Sequence, residues 1–465
     1  MLSLDAYFWG VFWEDGTRRD AQQCSESEKT WGRDGADERG ARIRPGGAGA
    51  RRGEDHVKVA FFHSTFRNLG GAELLATNQA TYLRREGWDM SLVTFRFQEE
   101  IWRDKWAGIP VELVPRRHWM DLLPFGGRLG KWQRRARRAE PFLHGVEKVL
   151  AHNSASAAML GHMGTQGLRA WYCHEAPWRL HPESADYDLV QNLPALEDSE
   201  PSDHFKALQE IRSGVLARAH RDCALAAWDR AGVARLDRIF ANSEFCRDNL
   251  HRIYGRDDVQ VIPPIIPFSE HSHRSGLDRA APQILTLARL EALKNVDTVL
   301  RGFADFASGV HGARLHIVGD GRKRSTLERL ACELGVANKV HFHGYLDPRR
   351  DAAKLEDLFH ACDVFALLPI DESFGLVFPE AAARGLLLVG PDRGGPAEIM
   401  EGGRLGWTVP FHSPQALSGV FNEIWALPDE EAGRRRRAAE KACRDRYSFG
   451  TAGPMLLQAL RRGGE

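Results

Sequence analysis

VKVAFFHSTFRNLGGAELLATNQATYLRREG, residues 57–87, reads as a strand, a glycine loop and a helix. VKVAFFH is a short apolar run, AELLATNQATYLRRE carries apolar residues at helical spacing, and Gly87 closes the pattern. DMSLVTF, PVELVP, VEKVLAH, LRAWYCH, RIFAN and VQVIP repeat the strand signal downstream, most of them separated by helical or polar segments. Short buried strands alternating with helices predict a parallel sheet covered on both faces, so the first domain is expected to be a doubly wound α/β unit.

IPPIIP (262–267) and the polar SEHSHRSGLDRAAP after it read as a linker, beyond which the alternation restarts. QILTLAR, RLHIVGD, KVHFHGY, DVFALLP and LLLVGP are five strand-like runs separated by helical patterns such as NVDTVLRGFADFA. The expected architecture is two Rossmann-like doubly wound α/β domains facing across a cleft, at 56–267 and 268–440, with a C-terminal helix over 441–465 packing back on the first domain. A block at 180–235 lacks strand character, and its front part, 183–210, has eight acidic residues with Lys206 as its base. It reads as an elaborated loop and helix inserted in the first domain.

The 465 residues carry 63 Lys plus Arg and 63 Asp plus Glu, so the zero formal net charge gives no reason to expect a nucleic-acid partner. Seven dispersed cysteines without a C-x-x-C pair fit free thiols in a reducing cytoplasm. No apolar run is long enough for a membrane-spanning helix, and the apolar opening MLSLDAYFWGVFW lacks the basic flank and small-residue cleavage site of a signal peptide. Gly, Arg, Asp, Glu and Ser dominate the rest of 1–55, which is expected to be a disordered extension.

In tandem domains of this kind the loops after the strands carry the chemistry. ESFGLVFPEAAARG (372–385) follows one strand and opens a helix, so Phe374, Gly375, Leu376 and Val377 can present backbone N–H groups to an anion. Glu372 precedes that turn and Glu380 lies within the helix; alone, two carboxylates at this spacing also describe a loop acid and a solvated helix acid. Arg289 and Lys294 follow the first strand of the second domain, where two cations would neutralise a diphosphate. In the first domain Gly70 and Gly71 allow close backbone approach to a ligand. His174, beside Glu175 and Trp178, ends the strand LRAWYCH. Neither a dinucleotide nor an ATPase glycine signature is present, and Asp186-Tyr187-Asp188 sits in the acidic block away from a strand end, so no metal is assigned to it.

Taken together, GGAE (70–73), CHEAPW (173–178), FANSEFCRDNL (240–250), VIPP (261–264), LARLEALKN (287–295), HIVGDG (316–321), HFHGY (341–345), ESFGLVFPEA (372–381) and GGPAEI (394–399) resemble glycosyltransferase family 4, retaining enzymes of the GT-B fold. The similarity runs in order from about residue 57 to the C-terminus. It implies that Glu372 and Glu380 contact the donor sugar and the nucleotide ribose, and that Arg289 and Lys294 bind the diphosphate. It also implies that Gly71 lies beside the donor phosphates and His174 near the transferred sugar.

The implied reaction moves a hexose from a nucleotide sugar to a glycan or lipid-linked acceptor, in polysaccharide or glycolipid synthesis, with no cofactor and no metal. Cations and N–H donors would stabilise the departing diphosphate, which itself takes the acceptor proton, while Glu372 orients sugar hydroxyls. The stretch WDRAGVARLDRIFANSEF with VIPP is most similar to mannosyltransferases using GDP-mannose, with UDP-glucose or UDP-N-acetylglucosamine as the alternative donor. Residues 116–138 place eight Arg or Lys against one acid among Trp, Leu and Phe, a composition that suits either peripheral contact with an anionic cytoplasmic membrane face or a solvated helix with a buried stripe. A non-catalytic nucleotide-sugar-binding protein is the rival class, and its expected mark, loss of the cations or acids, is absent. A sugar phosphorylase would need a pyridoxal-binding lysine that nothing in the sequence marks.

Overall fold

The computed structural model describes residues 57–67, 70–115, 127–191, 203–268, 276–348 and 350–461. The extension at 1–55, the front of the basic stretch at 116–126 and the acidic segment at 192–202 lie outside the described residues.

In the first sheet, β1 (Lys58–Phe62), β2 (Asp89–Thr94), β3 (Val111–Leu113), β4 (Lys148–Ala151), β5 (Leu168–Cys173), β6 (Arg238–Ala241) and β7 (Gln260–Val261) pair in the order 3-2-1-4-5-6-7. Every pairing is parallel, with Phe61 of β1 opposite Leu92 on one side and Leu150 on the other. The second sheet repeats the plan with β8 (Gln283–Leu287), β9 (Arg314–Val318), β10 (Val340–Gly344), β11 (Val364–Ala366), β12 (Leu387–Pro391) and β13 (Trp407–Val409), in the order 10-9-8-11-12-13. β13 is a strand the sequence reading did not isolate, because its three residues form no apolar run. The central strands are buried along almost their whole length, as strands covered on both faces must be; in β12 all five residues are buried.

Strand order reverses between β1 and β4 in the first sheet and between β8 and β11 in the second. Loops leaving the carboxyl ends of those strands form the crevice in which open α/β sheets bind ligands. The candidate residues therefore come from the loops after β1, β4 and β5 on one side, and after β8 and β11 on the other.

The two sheets are tied by the proline segment and the chain's last helices. Ile265 and Ile266 are buried; Asn78 Nδ2 donates to Ile265 O at 2.7 Å, and Ile266 N–H donates to Tyr447 O at 2.7 Å. The helix Phe449–Arg461 packs against the helix Gly71–Arg85, so closely that a Cβ on Gly453 would stand 2.2 Å from the Tyr82 ring. Arg238, at the start of β6, donates to Ala459 O at 2.6 Å.

The inserted block is anchored by its rear helix, Cys223–Val233, against the helix Ser154–Gly161. Backbones approach at Gly161 and Gly232, where a Cβ on Gly161 would lie 1.8 Å from Gly232 O. A buried chain joins the same layer: His181 Nε2 is 2.8 Å from Asp229 Oδ2, which also accepts from Tyr254 Oη at 2.7 Å. The helix Gly127–Ala139 covers this layer with Trp132 buried against Trp228 and Leu225, while Arg128 pairs with Asp222.

Candidate functional site

On the second sheet, β8 ends at Leu287 and leads through Arg289 into the short helical turn Ala292–Lys294. Asn295 then adopts the left-handed conformation at φ +55°, which Asn tolerates better than most residues. Its side chain uses all its polarity to hold that turn: Nδ2 donates to Leu368 O at 2.9 Å and to Phe411 O at 2.7 Å, and Oδ1 accepts from Thr298 Oγ1 at 2.9 Å. Ile370 N–H donates to Leu293 O at 3.0 Å, so the loops after β8 and β11 are fixed to each other.

The fixation places Lys294 Nζ 2.6 Å from Glu372 Oε2. Arg289 lies in the same crevice, its pKa lowered by burial, with the charges of Arg179 and Glu175 from the first domain, and of Glu372, all felt there. Behind Glu372 the chain turns at Gly375, φ +87°, where an L side chain would be strained and crowded by Phe378 and Pro396. Helix Val377–Ala383 begins there, with Phe374 and Gly375 buried and Glu380 in its first turn only 3% exposed. Glu380 is thus a buried acid and not a solvated one. Gly395 backs the turn: its N–H donates to Glu372 O at 3.0 Å, and a Cβ there would come within 2.3 Å of Phe374 Cα.

On the first sheet, Gly70 and Gly71 are buried at the start of the helix that follows β1, and His174 follows β5. His174 Nε2 lies 3.1 Å from His152 Nδ1, and the two rings stack with centroids 5.4 Å apart. His63 follows β1, with Nε2 4.0 Å from Glu73 Oε1 and Nδ1 accepting from Thr65 N–H at 3.2 Å. Burial holds His63 and His174 neutral, lowering each to about 3, and the nearby His63 ring further disfavours a proton on His174. His152 is driven well below the usual range by burial and then by the other two rings. Burial likewise raises Glu73 to about 8. This polar floor was missed by reading His174 alone. The signal was present: VKVAFFH, VEKVLAH and LRAWYCH each end in histidine, and they become the neighbouring strands β1, β4 and β5.

The two sides are stitched together beside the site. Asn242 Nδ2 donates to His174 O at 2.7 Å, and the next residue, Ser243, donates from Oγ to Ser373 O at 2.6 Å. Tyr187 Oη is 2.9 Å from Ser373 Oγ, and Asp188 N–H donates to Asp371 Oδ1 at 2.9 Å. Asp186 and Asp188 both pair with Arg393, at 2.6 and 3.2 Å. The Asp-Tyr-Asp sequence of the inserted block is therefore an interdomain clasp. Glu398 accepts from Glu244 N–H at 2.9 Å and Phe245 N–H at 2.5 Å, neutralising the amino end of helix Glu244–Tyr254 from across the seam. Among the described residues no group of three or more His, Cys, Asp or Glu side chains is arranged to hold a metal ion.

Two parallel doubly wound sheets of seven and six strands, with candidate residues at both switch points, define the GT-B fold of glycosyltransferases. Residues 268–443, which span the second sheet, match the family described as Glycosyl transferases group 1. In sequence the chain is similar to the D-inositol 3-phosphate glycosyltransferase of Rhodococcus erythropolis, 29% identical over 247 residues that cover 50% of this chain and 54% of that protein. The protein of the same name from Xylanimonas cellulosilytica is 30% identical over 254 residues, covering 50% of this chain and 59% of the relative. The chain thus spans a little over half the length of these curated relatives. In structure it is similar to Anabaena HepE in complex with UDP and glucose, with a TM-score of 0.63 and 18% identity over 88% of this chain and 100% of that one. Sucrose-phosphate synthase from Thermosynechococcus elongatus gives a TM-score of 0.63 at 14% identity, over 87% of this chain and 98% of that one.

Proposed function

We propose that this protein is a retaining glycosyltransferase that moves a hexose from a nucleotide sugar to a glycan or lipid-linked acceptor. The observation that carries the reading is the meeting of Lys294, Glu372 and the Gly375 turn at the switch point of the second sheet, with Arg289 in the same crevice. Each is suited to a different part of a nucleotide sugar. Lys294 and Arg289 answer the negative charge of a diphosphate, and their preorganisation favours the state in which that charge grows as the glycosidic bond breaks. Glu372 accepts hydrogen bonds from sugar hydroxyls, and buried Glu380 does the same for the ribose. His174, on the opposite sheet, contacts the transferred sugar.

Retention follows if acceptor and leaving phosphate share one face of the sugar, the phosphate oxygen taking the acceptor's proton. A covalent glycosyl-enzyme is not needed on that route, which leaves Glu372 to orient the donor's hydroxyls. GDP-mannose is the donor favoured by sequence resemblance. UDP-glucose is supported by the UDP and glucose named in the HepE complex, and inositol 3-phosphate joins the candidate acceptors through the named relatives.

The test incubates the protein with GDP-mannose, UDP-glucose or UDP-N-acetylglucosamine, with and without inositol 3-phosphate or a lipid extract, and follows nucleotide release. Wild type should exceed Lys294→Ala and Glu372→Ala with at least one donor. Equal, background release for all three proteins with every donor would instead favour a nucleotide-sugar-binding protein without transfer.

A further inference from the structure

His152 lies at the carboxyl end of β4, fully buried, and has no part in the reaction as derived above. Its Nδ1 and the Nε2 of His174 stand 3.1 Å apart, a hydrogen-bond distance that requires one hydrogen between them and forbids two. Two arrangements satisfy that condition with both rings neutral. In one, His174 donates and His152 must carry its own hydrogen on Nε2. In the other, His152 donates from Nδ1 and keeps a bare lone pair at Nε2.

The surroundings distinguish them. His152 Nε2 is buried with no hydrogen-bond partner among the described residues, and the Phe61 ring packs on the imidazole at 4.4 Å between centroids. A hydrogen placed there would be an orphaned N–H sealed in the core under Phe61, on a residue without exposed surface, where no ligand could satisfy it. The other arrangement puts the hydrogen on Nδ1, donated to His174, and leaves the unpartnered N–H on His174, which is partly exposed and can be approached from the crevice. Since His174 Nε2 then accepts, neutral His174 carries its own hydrogen on Nδ1, which is also buried and has no partner among the described residues. The one unsatisfied donor of the pair is thereby moved onto the residue at the crevice.

We propose that His152 is a positioning residue that fixes the tautomer of His174, making its Nδ1–H a hydrogen-bond donor to an oxygen of the transferred sugar. The principle is general: the hydrogen bond made by one ring nitrogen decides what the other offers. The inference rests on the reading of His174 as the sugar contact, but its physical core can be tested without turnover.

Imidazole ¹⁵N spectra of ¹⁵N-histidine-labelled protein, assigned with His174→Gln, report which nitrogen is protonated. Wild type should show His174 protonated at Nδ1. His152→Asn retains an N–H at the position of Nδ1, and should keep that tautomer with kcat within threefold of wild type. His152→Phe should release His174 to the other tautomer and lower kcat at least tenfold, with KM changed less than threefold, for whichever of the three donors wild type turns over fastest. His174 protonated at Nε2 in wild type overturns the inference, and so does a tautomer and kcat unmoved by His152→Phe. Should His152→Phe fail to fold, the wild-type and His152→Asn spectra still decide. An Nδ1-protonated His174 without transfer from any donor supports the hydrogen-bond assignment and refutes the transferase reading instead.

Discussion

Lys294 and Glu372 hold each other at 2.6 Å, although the proposed reaction asks one to bind phosphate and the other to bind sugar. Both side chains are about a fifth exposed, so the pair contributes modestly, up to about 1 kcal/mol, and a donor can part them. Removing one partner should have opposite effects on two measurements. Glu372→Ala frees Lys294 for phosphate, and calorimetry should show UDP or GDP binding up to about fivefold tighter, while nucleotide-sugar turnover falls about a hundredfold. Lys294→Ala should weaken the same nucleotide and lower turnover together. Nucleotide binding unchanged in both variants would mean the pair is not at the diphosphate.

The seam beside this pair is expected to govern its geometry. Ser243 donates to Ser373 O and caps its own helix by accepting from Cys246 N–H at 3.0 Å, so Ser243→Ala leaves two groups wanting. Loss of each hydrogen bond costs about 0.5–1.5 kcal/mol. Tyr187→Phe removes a single contact, that to Ser373 Oγ, and should cost about half as much. Arg393→Ala removes the guanidinium 3.2 Å from buried Asp188, for a penalty of about 1–3 kcal/mol. Urea denaturation midpoints should rank the three accordingly, and Ser243→Ala should also lower turnover, because it loosens the residue next to Glu372.

The strands were legible because each is an apolar run bounded by polar or glycine segments, and parallel strands are buried on both faces. β13 escaped that signal with only Trp407, Thr408 and Val409. Arg289, Lys294 and Glu372 were legible for a topological reason: residues after the strand runs arrive at carboxyl ends whichever helices intervene. The clasp was not. Asp186 and Arg393 are 207 positions apart and Ser243 and Ser373 are 130, and no local periodicity encodes pairing across a seam. His152 falls between these cases, since its place at a strand end was readable but its adjacency to His174 required knowing that β4 pairs with β5.

Gly395 gives a steric test of the donor turn. A Cβ there would meet Phe374 Cα at 2.3 Å and Ser373 O at 2.4 Å, both backbone atoms that cannot rotate away. Gly395→Ala should therefore push the 372–375 turn outward and abolish most turnover. Stability should fall by about 1–3 kcal/mol, the usual cost of overpacking. Gly419, with nothing within 4 Å of its would-be Cβ, is the matched control, and Gly419→Ala should be silent in activity.

Two roles stay open to the basic stretch, contact with an anionic membrane and a solvated helix, and its described part separates charge from apolar surface. Trp132 faces the core, Arg135 packs over Phe95 and Arg138 donates to Pro115 O, whereas Lys131 and Arg137 are exposed. Binding to anionic vesicles should then be electrostatic, falling away near 1 M salt, where the screening length is about 3 Å. Replacing Arg134, Arg135, Arg137 and Arg138 by Gln should abolish it, with no blue shift of Trp132 fluorescence in wild type. Unchanged binding in the variant would assign the helix to the solvated role.

The histidine floor fixes how stability should respond to acid. His63 and His174 titrate at about 3 in the fold and His152 well below its usual range, against about 6.5 when unfolded. Below pH 6.5 the unfolded chain binds protons that the folded chain refuses, so stability rises with pH and is lost on acidification towards 3. Each histidine adds a slope of about 1.4 kcal/mol per pH unit once fully developed. Glu73 acts in the reverse sense: with its folded value raised to about 8, the native state holds the extra proton and this residue opposes one histidine until the unfolded carboxyl also protonates, near pH 4.5. His152→Phe should accordingly flatten the dependence of unfolding free energy on pH below about 6.5, by up to about 1.4 kcal/mol per unit, and Glu73→Gln should steepen it between about 5 and 7. Urea titrations at half-unit pH intervals measure both slopes, and parallel curves for wild type and His152→Phe would show that His152 is protonated in the folded chain.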